Sequence, residues 1–271
     1  MHYNRNIIMN QMKRIVIKIG TNTIVRDNHQ LNFRKLDRLA YVAATLIQEG
    51  KEVIFVSSGA IGVGAITLNV TEYPKAIPDQ QALAAVGQGI LMGHYNRFFR
   101  HYNVPVGQIL LTRDVVDFPT SHHNVKQAME RMISMGIVPI INENDAVAVD
   151  ELNHETKFGD NDNLSAIVAE ICQADLLVIM SDVDGLYDKN PKEFVDAQRF
   201  IEINEINDDV MAMASGKGSE FSTGGMLTKL QAASKVLENQ QAMLIMSGEQ
   251  PETLLDVMEG QAMGTLFINQ A

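Results

Sequence analysis

The amino-acid sequence predicts an α/β fold in which one doubly wound, mostly parallel β-sheet carries helices on both faces. Short apolar runs alternate with longer segments of helical periodicity along most of the 271 residues, and this alternation is typical of β-α-β units. The apolar runs are nearly continuous, as expected for strands that are buried on both faces. Short turns separate the units without a linker or an internal repeat, so we expect a single domain.

Six apolar segments are predicted as strands. The first, Arg14–Ile19, ends at a Gly-Thr-Asn turn, and Gly136–Ile141 runs directly into a long polar loop. An apolar run of this length, bounded by turn residues, indicates a buried strand. The other predicted strands are Glu52–Val56, Val104–Leu111, Asp175–Met180 and Ala242–Met246.

Five segments have the apolar spacing of helices. In residues 32–49, Leu36, Leu39 and Leu46 recur at helical intervals, and Gly50 stops the pattern. The further helices are predicted at about residues 80–101, 120–135, 161–174 and 226–239. Between the second strand and the next helix lies Ser57–Gly64, a glycine-rich stretch whose backbone N–H groups could approach an anion. It matches neither the dinucleotide-binding nor the Walker A pattern, so alone it is a weak signal.

Composition and charge exclude several classes of protein. The net charge of −11 and pI of about 5.1 disfavour binding to a nucleic-acid backbone, which requires basic clusters. The single cysteine, Cys172, excludes a disulfide framework and a cysteine-based zinc site. No run approaches 18 apolar residues, so we expect no membrane span. Because the N-terminus lacks a signal-like apolar core, we expect a cytoplasmic location. Residues 1–11 precede the first predicted strand, so we expect them to form a loose leader and residues 12–271 to form the domain.

The acidic, amide-rich loop from Asn142 to Asn163 is the most informative stretch of the sequence. It begins as Asn142-Glu143-Asn144-Asp145 and closes as Gly159-Asp160-Asn161-Asp162-Asn163. Ligands of open α/β sheets bind beyond the carboxyl ends of the strands. A cluster of amides and carboxylates at that position predicts a site for a small polar ligand.

Two lysines are placed as anion-binding groups. Lys18 interrupts the first apolar strand close to its carboxyl end, where a buried ammonium without an anion would be costly. Lys229 lies in the first turn of the predicted helix 226–239, where its charge opposes the helix dipole. A bound anion would compensate both the buried charge of Lys18 and the unfavourable position of Lys229. Ser181 and Asp182 follow another strand and could contact a nucleotide ribose or base, although a plain turn remains an alternative there.

Six short motifs occur in an order that resembles the amino-acid kinase family, and within it the members that phosphorylate the side-chain carboxylate of glutamate. The resemblance extends from about residue 13 to 268. The motifs are Lys18-Ile19-Gly20-Thr21, Ser58-Gly59-Ala60-Ile61, Asn142–Val147, Gly159–Asn163, Ser181-Asp182 with Gly185-Leu186-Tyr187, and Thr223–Met226 with Lys229.

The resemblance implies a three-layer αβα sandwich and the reaction of ATP with L-glutamate to give ADP and L-glutamyl 5-phosphate, the first step of proline biosynthesis. It implies that Mg²⁺ is carried on the nucleotide, without a dedicated metal site in the protein. It also implies that the N-terminal part of the domain mainly holds glutamate and the C-terminal part mainly holds ATP. The implied catalytic residues are Lys18, Lys229, Asp162 and Asp160. The implied substrate-binding residues are Ser58, Asp145, Asn161, Asn142 and Glu143. The implied ATP-binding residues are Lys18, Ser181, Asp182, Thr223, Gly224, Gly225, Met226, Leu227, Thr228 and Lys229.

The resemblance further implies a homo-oligomer, either a dimer or a tetramer, and proline as a feedback inhibitor near the glutamate site. Many bacterial members carry a small C-terminal RNA-binding-like (PUA) domain, which we expect to be absent here. Two alternatives stay open: a relative of the same fold that acts on acetylglutamate, carbamate or uridylate, and a non-catalytic sensor. The acidic loop favours a zwitterionic substrate over a nucleotide, and the two lysines favour catalysis over sensing. The interval between Val149 and Lys157 is the least secure part of the resemblance.

Overall fold

The computed structural model describes residues 2–26, 28–70, 72–147, 161–191, 193–214 and 225–269. Its described strands are β1 (Arg14–Ile19), β2 (Glu52–Ser57), β3 (Val106–Leu111), β4 (Val138–Glu143), β5 (Leu176–Ser181), β6 (Glu202–Ile203), β7 (Ala242–Ser247) and β8 (Thr265–Phe267). Its described helices are α1 (His2–Gln11), α2 (Thr21–Ile24), α3 (Phe33–Gln48), α4 (Ala60–Thr67), α5 (Ile77–His101), α6 (Asp114–Asp117), α7 (Pro119–Ser134), α8 (Asn161–Ile171), α9 (Asp208–Ala214), α10 (Gly225–Glu238) and α11 (Thr253–Met258).

These strands form one sheet in the order β3-β4-β2-β1-β5-β7-β8-β6. All neighbouring strands are parallel except β7 and β8, which pair antiparallel. The predicted α/β class and mostly parallel sheet are therefore confirmed. The six strands that the sequence predicts are all present, with ends that differ from the prediction by at most two residues.

Alternate residues of the central strands pack against opposite helical layers. Ile15, Ile17 and Ile19 of β1 belong to a core shared with α3, α5 and α11. Val16 belongs to a second core shared with α7, α8 and α10. Because side chains alternate along a strand, Lys18 points to the same face as Val16, toward α8 and α10.

The N-terminal segment corrects one expectation. Residues 1–11 were expected to be a loose leader, whereas His2–Gln11 forms α1. Met9 is fully buried in the core, and the guanidinium of Arg5 donates to the backbone carbonyls of Ile201 and Met263. The sequence of α1 is too polar to indicate a helix by itself, so tertiary contacts stabilise it.

The glycine-rich stretch after β2, residues Ser57–Gly64, corrects a second expectation. It was expected to be a loop, but α4 begins at Ala60, so Gly62 and Gly64 lie inside a helix. Only Gly59, with a φ of +92°, adopts the left-handed conformation that favours glycine. A Cβ atom on Gly64 would lie 2.0 Å from the carbonyl oxygen of Leu83, and one on Gly87 would lie 1.8 Å from that of Ala60. These two glycines thus allow α4 and α5 to pack in close contact.

Among the described residues, no helix is both long and apolar enough to cross a membrane.

Candidate active site

The carboxyl ends of four neighbouring parallel strands bring most of the predicted site residues to one edge of the sheet. In the register of the sheet, Ile19 of β1 lies between Ser57 of β2 and Met180 of β5. The end of β4, at Asn142 and Glu143, lies beyond β2. In open α/β sheets, this edge is where ligands bind.

Lys18, Asp162 and Lys229 meet at this edge, although they come from three distant parts of the sequence. The Nζ atom of Lys18 lies 2.6 Å from Oδ1 of Asp162, and the Nζ atom of Lys229 lies 3.1 Å from Oδ2 of the same carboxylate. All three residues are buried, with Asp162 only 1% exposed and each lysine 8% exposed. One carboxylate therefore holds two ammonium groups in fixed positions.

The electrostatics of this group follow from its burial. Desolvation by itself would raise the pKa of Asp162, but the charges and hydrogen bonds of Lys18 and Lys229 outweigh it and hold the pKa below its ordinary value. The group therefore carries two positive charges against one negative charge. An excess positive charge in a buried position favours an anionic ligand such as a phosphoryl group.

Helices α8 and α10 position two members of this group. Asp162 lies in the first turn of α8, where a carboxylate is favoured by the helix dipole. Lys229 lies one turn after Gly225, the first residue of α10, and its Nζ atom also donates to the backbone carbonyl of Gly225 at 2.9 Å. The hydroxyl of Thr228 donates to Oδ2 of Asp162 at 3.1 Å. Thr228, which was predicted to bind ATP, thus takes part in the lysine–carboxylate group.

A cavity of about 330 Å³ lies at the same edge, between β3, the end of β4, and helices α4 and α5. Glu143 and Asp145 line it, as do Gln88 and Gln108. Both carboxylate residues are largely buried. Carboxylates that line a small cavity suit a ligand that carries an ammonium group. The cavity has room for a small amino acid.

The other predicted substrate-binding residues surround these two features. Ser58 is buried at the end of β2, and its backbone N–H donates to the carbonyl of Ile19 at 3.2 Å. Asn142 is 1% exposed, and its Oδ1 atom accepts from the backbone N–H of Glu143 at 2.9 Å. Asn161 is buried at the first position of α8, directly before Asp162. The structure therefore places all five predicted substrate-binding residues at this edge.

The structure describes only some of the predicted ATP-binding residues. Ser181 ends β5, and its hydroxyl donates to Oδ1 of Asp182 at 2.9 Å. Gly225, Met226 and Leu227 form the start of α10. Asp160, Thr223 and Gly224, together with the interval between Val149 and Lys157, lie outside the described residues.

Two polar residues of the cavity, Gln88 and Gln108, were missed by the sequence analysis. Gln88 is a buried polar residue on the apolar face of α5, and Gln108 lies on the edge strand β3. A glutamine among the buried positions Leu83, Ala84, Gly87 and Leu91 is a signal that could have been noticed. Nothing comparable indicates Gln108, because only the fold brings it beside Gln88.

A larger cavity, of about 580 Å³, lies elsewhere, beside α6, α8, α9 and α10. It contains none of the predicted site residues. The smaller cavity is the better candidate for a substrate site, because polar and charged groups from β3, from α5 and from the end of β4 converge there.

Comparison with known proteins is consistent with this geometry. The model of the amino acid kinase family matches residues 13–247. A glutamate 5-kinase from Enterococcus faecalis is 53% identical over 260 residues, which cover 96% of each chain. A glutamate 5-kinase from Listeria innocua is 53% identical over 258 residues, which cover 95% of this chain and 94% of the relative.

Solved structures show the same fold at low sequence identity. A carbamate kinase from Giardia lamblia bound to AMP-PNP has a TM-score of 0.67 and 18% identity, and covers 96% of this chain and 100% of the other. The UMP kinase from Bacillus anthracis has a TM-score of 0.63 and 15% identity, and the match covers 96% of this chain and 97% of the other. From the family match over residues 13–247 and the relatives at 53% identity, we conclude that the chain belongs to the amino acid kinase family, among the glutamate 5-kinases.

Proposed function

We propose that this protein catalyses the ATP-dependent phosphorylation of the side-chain carboxylate of L-glutamate, which yields L-glutamyl 5-phosphate and commits glutamate to proline biosynthesis. The observation that carries the proposal is the buried group of Lys18, Asp162 and Lys229 at the strand ends. The relatives at 53% identity, which are glutamate 5-kinases, support the choice of substrate.

In the proposed reaction, a side-chain carboxylate oxygen of glutamate attacks the γ-phosphorus of ATP. A bond forms between this oxygen and the phosphorus while the bond from the phosphorus to the β,γ-bridging oxygen breaks, and ADP leaves with that electron pair. No proton has to move. Because phosphoryl transfer requires little covalent participation from the protein, catalysis rests on positioning and on neutralising charge.

Lys18 and Lys229 supply this neutralisation. Their ammonium groups approach Asp162 from two directions, so a phosphoryl group beside Asp162 would lie between two positive charges. Asp162 acts as the positioning residue that holds both lysines before the substrates bind. Groups that are already in place require no reorganisation when charge develops in the transition state.

The cavity beside this group is the proposed glutamate site. Glu143 and Asp145 would hold the α-ammonium group, and Ser58, Asn142 and Asn161 would bind the remaining polar groups. Because the cavity opens at the same sheet edge as the lysines, the side-chain carboxylate could extend toward them.

ATP would bind on the C-terminal side, at Ser181 and Asp182 and along residues 223–229, with its phosphates near the two lysines. Among the described residues, no three His, Cys, Asp or Glu side chains converge in a way that could hold a metal ion. As the resemblance implies, Mg²⁺ would be held mainly by the phosphate oxygens of the nucleotide, where it would neutralise part of their charge.

The test is ADP release by the purified protein with L-glutamate, N-acetylglutamate, aspartate and UMP as separate acceptors. We expect rapid ADP release with L-glutamate alone and a strict requirement for Mg²⁺. Preference for N-acetylglutamate or UMP would contradict the proposal, because neither ligand brings an ammonium group to Glu143 and Asp145. ADP release that does not depend on any acceptor would mean that the protein is not a kinase for these substrates.

A further inference from the structure

Three carboxamide side chains form a hydrogen-bonded relay that runs from the end of β4 to the edge strand β3. The Nδ2 atom of Asn142 donates to Oε1 of Gln88 at 2.9 Å. The Nε2 atom of Gln88 donates to Oε1 of Gln108 at 3.2 Å. Gln88 and Gln108 both line the 330 Å³ cavity, and Gln88 is only 8% exposed.

A single backbone group sets the direction of the whole relay. The N–H of Glu143 is a donor under all conditions, and it donates to Oδ1 of Asn142 at 2.9 Å. Asn142 must therefore turn its Nδ2 atom toward Gln88, and Gln88 must receive it with Oε1. Gln88 is then left with its Nε2 atom facing Gln108, which must accept with Oε1. Each amide can adopt only one of its two orientations without breaking a hydrogen bond.

The relay fixes the orientation of the amide of Gln108, which is its last member. Because its Oε1 atom faces Gln88 and accepts from it, Gln108 turns its NH₂ group away from Gln88, where it can donate to a ligand in the cavity. The described residues that line the cavity include no lysine or arginine. Among these described residues, a carboxylate in the cavity meets only uncharged donors, so the orientation of this amide matters.

We propose that Gln88 is a positioning residue for substrate binding, which acts by fixing Gln108 with its NH₂ group toward a carboxylate of the amino-acid substrate. The inference rests on the proposed function, since it requires an acceptor that carries a carboxylate in this cavity. Gln88 also lines the cavity, but its Oε1 atom accepts from Asn142 and its Nε2 atom donates to Gln108. Its substitution should weaken glutamate binding through Gln108, with little effect on ATP.

A double-mutant cycle tests this mechanism. Gln88→Met has a similar volume but cannot orient Gln108, and a charge-assisted hydrogen bond is worth about 10- to 100-fold in affinity. We expect Gln88→Met to raise the KM for L-glutamate about tenfold in the wild-type background and less than about threefold in a Gln108→Ala background. The KM for ATP should stay within about twofold in every variant.

The matched control is Gln80→Met on the same helix. Gln80 is as buried as Gln88, at 9% against 8%, and donates to the carbonyl of Pro74, but it does not line the cavity. Its substitution should leave the KM for L-glutamate within about twofold. An equal effect of Gln80→Met would mean that loss of any buried amide of α5 disturbs the site, and the inference would be wrong.

Other outcomes separate the two proposals. If Gln88→Met raises the KM by the same factor in both backgrounds, Gln88 does not act through Gln108. If Gln88→Met does not fold, Gln108→Glu replaces it as the test. The glutamate side chain at position 108 can still accept a hydrogen bond from Gln88 but has no NH₂ group to donate. A KM for L-glutamate within threefold of wild type would then refute the inference. A wild-type protein with no glutamate-dependent ADP release would remove both proposals, whereas normal wild-type turnover with no coupling in the cycle would remove this one alone.

Discussion

At the scale of single residues, the buried carboxylate of Asp162 balances two lysines that would otherwise repel each other. The oxygens of the carboxylate are divided between them, one to Lys18 and the other to Lys229. Burying three charged groups is expensive, because desolvation can cost more than their mutual attraction returns. This arrangement keeps two cations in place without neutralising both.

Substitution of Lys229 tests the catalytic role of this group. Lys229→Ala removes charge stabilisation that acts mainly in the transition state, so we expect kcat to fall by on the order of 100-fold or more, with a smaller change in the KM for glutamate. Lys18→Ala should behave similarly. Lys235→Ala is the control, because Lys235 lies on the same helix and pairs with Glu170 away from the site. Steady-state kinetics on folded variants measure the effect, and near-normal turnover of Lys229→Ala would contradict the mechanism.

Asp162→Asn should reveal the ion pairs as a pH-dependent contribution to stability. The pKa of Asp162 is lower in the folded protein than its unfolded value of about 3.9, so the stabilisation is present above pH 4 and is lost as the pH falls through the folded pKa. Breaking a buried pair costs about 3–5 kcal/mol. We expect Asp162→Asn to lower the free energy of unfolding by about that amount at pH 7, and the difference from wild type to shrink below about pH 4.

Urea unfolding between pH 7 and pH 3 measures this difference. Asp117→Asn is the control, because Asp117 forms an exposed pair with Arg113 that should contribute less than about 1 kcal/mol. Parallel stability curves for wild type and Asp162→Asn across the whole range would show that the ion pairs do not stabilise the fold.

Asp145→Asn should separate the two substrates. The change removes a negative partner for the substrate ammonium and leaves the lysine group intact. Losing a charge-assisted hydrogen bond costs about 1.5–3 kcal/mol, which corresponds to roughly 10- to 100-fold in the KM for glutamate. The KM for ATP should stay within about twofold. If initial-rate kinetics instead show a raised KM for ATP alone, the cavity has been assigned to the wrong ligand.

At the scale of secondary-structure elements, the packing of α4 against α5 sets the position of the strand-end residues around the cavity. Ala60 and Ala84, one from each helix, line the cavity together. A Cβ atom on Gly87 would lie 1.8 Å from the carbonyl oxygen of Ala60 and 2.4 Å from the backbone nitrogen of Gly64. A methyl group therefore has no space between these helices.

Gly87→Ala should force α4 and α5 apart. Overpacking of this kind costs about 1–3 kcal/mol, and here it acts against rigid backbone atoms. We expect a lower free energy of unfolding and a raised KM for glutamate, because Ser58 and Ala60 move with α4. Gly93→Ala is the matched control: its Cβ atom would meet nothing within 4 Å, and alanine is favoured over glycine in a helix by about 0.5–1 kcal/mol. Equal stability of the two variants in urea unfolding would contradict the packing argument.

At the scale of the whole molecule, one sheet edge holds both the proposed acceptor site and the lysine group. The parallel strands β4, β2, β1 and β5 all end there, and α8 and α10 begin there. A second ligand that resembles glutamate would therefore compete directly for the same groups.

Proline is such a ligand, and we predict that it inhibits by competition. Proline shares an α-carboxylate and an ammonium group with glutamate, so Asn142, Glu143, Asp145 and Asn161 could bind either molecule but not both. Inhibition should then appear as a higher apparent KM for glutamate at unchanged kcat. Initial rates against glutamate at several fixed proline concentrations measure it. Noncompetitive inhibition would place the proline site elsewhere, and no inhibition at millimolar proline would exclude this regulation.

Local patterns in the sequence were sufficient to predict most of the fold. The six major strands and the five long helices follow from apolar periodicity, because each must bury one or both of its faces. The periodicity failed where contacts distant in sequence stabilise an element. Helix α1 depends on the burial of Met9, and β6 and β8 are too short to give a pattern.

The sequence by itself determined which residues we predict to carry the chemistry. Lys18 and Lys229 stood out because a charge in an apolar strand or at the wrong end of a helix needs a partner, whereas Asp162 was implied by the family resemblance. The tertiary structure decided how these residues meet, since residues separated by 144 and 67 positions converge on Asp162 through the parallel strand order and the starts of α8 and α10. It likewise decided the direction of the amide relay, because a glutamine has no preferred orientation until a neighbouring backbone N–H imposes one.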